Sequence, residues 1–143
     1  MTFSEFLYEM AFPQSKALQK IEELLSQLSI HFLKCWIIPN SRNYNHWRGE
    51  IINFLGRIND YSRVKTKRGL IDRKNFDKEY KHTLELPWVD NLVDSVCLQY
   101  DIEREQGDTE HFAYILKRFY EDLWDMLSVG GFNLRQMLQH LPK

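Results

Sequence analysis

The 143-residue sequence has only two cysteines, four prolines and six glycines, and it lacks any long apolar run. Each shortage excludes something. Cys35 and Cys97 stand alone, without the CxxC or His/Cys spacing of a metal finger or redox pair. Both lie in apolar helical stretches, which points to free buried thiols in a reducing compartment. No run approaches the roughly 20 apolar residues of a membrane span. The opening MTFSEFLYEM is acidic and has no basic start or apolar stretch of a secretion signal. Together these features lead to the expectation of a cytoplasmic protein with no membrane partner. No GxSxG, P-loop or glycine-rich phosphate cradle is present, which removes the commonest routes to nucleophilic and phosphoryl-transfer chemistry.

Helix signals are plentiful. Thr2 and Glu5 form a capping-box pattern ahead of Phe3, Phe6 and Leu7, predicting a short first helix before Pro13. From Ser15, the residues Leu18, Ile21, Leu25, Leu28, Phe32 and Cys35 recur at helical spacing until Pro39. After NSRNYN the stripe resumes with Trp47, Ile51, Phe54, Ile58 and Tyr61. Two such stripes joined by a short linker predict an antiparallel helical hairpin over 15–61.

Polar SRVKTKRG (62–69) reads as a basic loop, and Asp72 caps a predicted fourth helix bearing Phe76, Tyr80 and Leu84. Pro87 opens a fifth, with Trp88, Leu92, Val96 and Tyr100 or their neighbours inward and Gly107 as its stop. A sixth runs from Asp108 and Thr109 to Gly130-Gly131, with Phe112, Leu116, Phe119, Leu123 and Met126 inward. A last short helix starts at Asn133 and reaches about Leu141. No segment alternates like a strand. The expectation is a single all-α domain over 1–143, a bundle of six to seven helices with acidic helices over 87–141.

Charge is segregated along the chain. Residues 1–56 are neutral, 57–82 carry nine basic against four acidic side chains, and 83–126 carry three against eleven. This polarity suggests self-complementary packing or two faces with different partners. The acidic residues Asp101, Glu103 and Glu105 are candidates for contact with a basic protein. The basic residues Arg63, Lys65, Lys67 and Arg68, with Tyr61, Phe76 and Tyr80 nearby for stacking, offer the alternative of nucleic-acid binding. Those aromatics also hold helix-stripe positions, where core packing accounts for them.

A metal site is the third possibility. Glu79 with His82 is an ExxH and Asp108 with His111 a DxxH, with Glu22 or Glu23 and Glu50 as further carboxylates for a di-iron-like bundle. Capping accounts equally well for Asp108. Ribonuclease toxins place an Arg and a His further apart within one helix than Arg42 and His46, which have three residues between them in the linker. The composition therefore leans away from an enzyme, with no cofactor implied.

The crowded stretch HFLKCWIIPNSRNYNHWRGEII (31–52) permits two readings. Trp36, Tyr44 and Trp47, with an arginine beside them, suit a protein contact; alternatively the two tryptophans face each other and close the corner of the hairpin. His31, Leu33, Lys34, Trp36 and Pro39, followed by Trp47-Arg48 and Ile51, resemble the core signature of a bacterial, largely cyanobacterial family, domain of unknown function number twenty-nine. The resemblance covers roughly 18–60, with a fainter likeness in FNLRQMLQHLP. Phe32 stands where that family has leucine, Cys35 where it has an aromatic and His46 where it has serine. The linker is longer, Arg57 is displaced, and the N-terminal acidic and aromatic motif is missing or shortened. The resemblance implies an all-α bundle and carries no established activity. The resulting expectation is a small interaction protein, of the kind that acts as an antitoxin or immunity partner, or one that self-associates.

Overall fold

The computed structural model describes residues 14–62, 81 and 84–142, with side chains from Gln19 onward. Within them the protein is all-helical. Helix α1 spans Gln14–Ile37, α2 Tyr44–Ser62, α3 Leu86–Gln99, α4 Asp108–Ser128 and α5 Leu134–Leu138. The helices expected from Thr2 and from Asp72, and most of the basic loop, lie outside the described residues.

Helices α1 and α2 form the expected hairpin. Ile21, Leu25, Leu28, Phe32 and Cys35 of α1 are fully buried against Ile51, Leu55 and Ile58 of α2. Two rows of apolar residues, rather than one, feed the core: Leu24 and Leu33 are buried beside the stripe. Pro39 pushes the preceding residue out of the helical region and ends α1. Ser41 then shapes the turn, accepting the Asn43 N–H on its hydroxyl at 3.1 Å and the Tyr44 N–H on its carbonyl at 3.1 Å. Asn43 accepts the Trp47 N–H on its carbonyl, and α2 begins at Tyr44.

Helices α3 and α4 cover the hairpin, and all five helices share one core. Phe119 stacks on Phe32 with ring centroids 4.3 Å apart. The Tyr120 hydroxyl, fully buried, donates to the Leu25 carbonyl at 2.9 Å and meets the Ser29 hydroxyl. Ser29 donates to that same carbonyl at 2.7 Å.

The inward face of α3 is made by Val96 of the expected row and by neighbours of the others. Val89, Val93, Val96 and Cys97 are buried, whereas Trp88 and Leu92 are half-buried at the edge of the core. The compact valines form the inward row, and the larger side chains flank it.

Gly107 does not stop α3. The helix ends at Gln99, where Ile102 N–H donates to Cys97 O at 2.8 Å and Asp101 takes a left-handed φ of 55°. This is the wrap-around C-terminal turn in which glycine is usual. Gly130 (φ 69°) makes the same turn after α4, with Gly131 N–H donating to Met126 O. Gly107, at φ 86°, instead sits at the start of α4.

Candidate interaction surface and hairpin corner

The linker between α3 and α4 is organised by one side chain. Arg104, half-buried, donates from Nη2 to Asp90 Oδ1 at 3.0 Å and to Thr109 Oγ1 at 2.9 Å, and pairs through Nη1 with Asp94. Thr109 donates to Asp90 Oδ1 at 2.7 Å, closing a ring of three groups across the two helices. That hydroxyl, and then the guanidinium, hold the Asp90 carboxyl below the usual carboxylate range. The Arg104 guanidinium is in turn pushed above its ordinary value, first by its bond to Asp90. Asp108 accepts the Glu105 N–H at 2.8 Å, which fixes the loop onto the first turn of α4.

This anchoring sets a simple alternation. Ile102 and Arg104 point inward, while Asp101, Glu103 and Glu105 are exposed. All three predicted acidic residues are thus exposed along this one linker. Glu110 is exposed nearby, and none of the four makes a side-chain ion pair among the described residues. Leu98, 84% exposed, adjoins them at the end of α3. Sequence reasoning had no signal for Arg104, because its partners are 4–14 residues away across a turn whose form was not evident.

The aromatic corner is split. Trp36 and Trp47 do not face each other. Trp47 is buried and meets Tyr100 edge-on at 5.7 Å, with the Lys34 ammonium 5.8 Å from its ring. Trp36, half-buried, donates its indole N–H to His140 O at 3.0 Å, and the Tyr44 hydroxyl donates to Pro142 O at 2.9 Å. Trp36 and Tyr44 therefore pin the C-terminal segment to the corner. His140 is held from its other side by Asp122, with Nε2 2.8 Å from Oδ2. His31 donates from Nδ1 to Gln27 O within its own helix and packs edge-on against Phe54.

Both cysteines are free and buried; burial pushes the Cys35 thiol up to about 12 and raises Cys97 as well. Neither forms a thiolate near neutral pH, so neither is poised as a nucleophile. Of the proposed metal ligands, Glu22, Glu23 and His111 are exposed, Glu50 is half-buried and Asp108 is engaged by Glu105. Glu79 and His82 lie outside the described residues. Among the described residues no group of three or more His, Cys, Asp and Glu could hold a metal ion. Arg63, Lys65, Lys67 and Arg68, the alternative nucleic-acid contacts, also lie outside them.

An all-helical bundle built on a two-helix hairpin, with an ionic α3–α4 linker and an aromatic hairpin corner that meet where Trp47 packs on Tyr100, is the class that these observations define. The family model described as Domain of unknown function DUF29 matches residues 7–91, and the chain belongs to that family. The match takes in the hairpin and the start of α3; the Arg104 linker and α4 follow it. No curated protein and no solved structure matches the chain. No helix among the described residues is long and apolar enough to cross a membrane.

Proposed function

We propose that this chain is a non-catalytic cytoplasmic interaction module that docks a basic protein on the edge formed by Asp101, Glu103 and Glu105. One observation carries the reading. The three carboxylates project from a linker whose backbone is fixed by Arg104, beside the exposed Leu98. A preorganised acidic edge loses little entropy on binding and steers a cationic partner toward an apolar anchor. Antitoxin and immunity proteins that mask basic nucleases need this combination of charge and anchor.

The test is native mass spectrometry of the protein isolated at low salt from its host. The expected result is a stoichiometric basic polypeptide. Its affinity should fall, and the salt dependence flatten, in the triple variant Asp101→Asn, Glu103→Gln, Glu105→Gln. A complex of unchanged affinity would remove the acidic-edge reading; co-purifying nucleic acid would instead favour the basic segment 57–82.

A further inference from the structure

Where the start of α2 meets the C-terminal segment there is a pocket of about 290 Å³ lined by Tyr44, Arg48, Arg135, Leu138, Gln139 and Pro142, together with the buried Leu141. Its charged lining is two arginines and no carboxylate. Several cations elsewhere have an acceptor. Arg104 is held by Asp90 and Asp94, Lys20 by Glu23, Lys117 by Glu121, and Arg118 by the Tyr114 hydroxyl. Among the described residues the Arg48 and Arg135 side chains have no such acceptor. Asp122, which lines another pocket together with Arg135, is committed through one oxygen to Gln136 and through the other to His140.

We infer that this pocket binds a compact organic anion, a single carboxylate or phosphate group gripped by Arg48 and Arg135 with its apolar body against Leu138 and Pro142. Guanidinium forks match the oxygens of either group in a bidentate manner, and a bound anion relieves the repulsion between two cations facing one cavity. The pocket sits at the small end of the range for ligand sites, roughly 300–1,000 Å³, so a small acid fits better than a nucleotide-sized molecule. Its walls are set before any ligand arrives. Tyr44 is bonded to Pro142 O, Trp36 to His140 O, and Met137 and Leu141 are buried in the core. The site uses none of the residues of the acidic linker, so it stands or falls separately from the proposed function.

The experiment is isothermal titration calorimetry at low ionic strength near pH 7, with phenyl phosphate and benzoate as separate probes. One-site saturable binding of at least one probe is expected, and the stronger of the two distinguishes a phosphate from a carboxylate ligand. The variant Arg48→Gln/Arg135→Gln should weaken that binding about tenfold or more, since hydrogen bonds to a charged group are lost. The variant Arg57→Gln/Lys117→Gln, with the same change in net charge, should leave it unaltered. Both arginines are exposed, so circular dichroism of the double variant should overlay that of the parent protein. No saturable binding of either probe overturns the inference, as does equal weakening in the two double variants.

Discussion

Between α1 and α2 the chain turns on neutral groups. Trp47 is buried against Tyr100, and the indole of Trp36 and phenol of Tyr44 reach backbone carbonyls of the C-terminal segment. Between α3 and α4 it turns on charges, with one guanidinium joining Asp90, Asp94 and Thr109. The first corner is apolar and hydrogen-bonded; the second is ionic and half in water. Burial of an aromatic ring is indifferent to salt and to acid, whereas a half-exposed ion pair is screened and titrates. The two corners should therefore fail under different conditions, although they belong to one core.

The largest effect should come from Trp47→Ala. Emptying that buried site removes the ring contact with Tyr100 and leaves a cavity, at a cost of about 3–5 kcal/mol in urea unfolding. A loss below about 1 kcal/mol would show that the first corner is not held by burial. Next is Arg104→Met, which keeps the stem and removes the fork. Its cost should be about 1–2 kcal/mol, discounted because the carboxylates it pairs are about half exposed.

The pH dependence separates the corners further. The folded Asp90 has a depressed pKa, so its contribution is present above the ordinary carboxylate value, about 3.9, and is lost as pH falls through the lower folded value. Arg104→Met should flatten that acid decline in thermal melts. The Cys35 thiol has the opposite sign. Its raised folded value gives a contribution that is full below about pH 8.5 and lost as pH rises toward 12, so Cys35→Ala should flatten the alkaline decline. Acid thus probes the second corner, while the part of the alkaline decline that Cys35→Ala removes belongs to the first; a Cys35→Ala variant that changed the acid limb equally would dissolve the distinction.

Smaller effects follow. Trp36→Phe and Tyr44→Phe each remove one donor to the C-terminal segment, costing about 1 kcal/mol apiece with little change at high salt. Faster amide exchange of residues 139–142 in either variant would show where the loss falls. Asp101→Gly should raise stability by about 0.4–1 kcal/mol, because glycine adopts the left-handed turn that strains aspartate. A destabilised Asp101→Gly would mean that the aspartate carboxylate itself holds the second corner.

These corners also mark what the sequence disclosed and what it withheld. The hairpin was legible because its apolar residues recur at helical spacing, and almost all of that stripe is buried. The outward acidic residues were legible as composition, but the alternation that presents them was not. It depends on Ile102 and Arg104 turning inward, which follows from a left-handed Asp101 where a glycine signal was expected at 107. The exact face of α3 stayed open in the sequence because Trp88, Val89, Leu92 and Val93 are all apolar. Spacing cannot choose between adjacent rows; the fit of small valines against the hairpin does. Trp36 and Tyr44 were visible as a cluster, yet their partners lie about a hundred residues away in sequence.

The meeting of Ser29, Tyr120 and the Leu25 carbonyl has a consequence for how the helices choose their partners. Apolar side chains on α1 and α4 would tolerate a slide of one helical turn, since leucine and phenylalanine fill space without demanding a named neighbour. A fully buried phenol does not tolerate it. Shifted by a turn, Tyr120 would have to leave its hydroxyl unpaired in the interior or find another lone pair there, and an unpaired buried hydroxyl costs about 1–3 kcal/mol. The cluster works as an index mark, rejecting packings that oil alone would accept and giving α4 one seat on the hairpin.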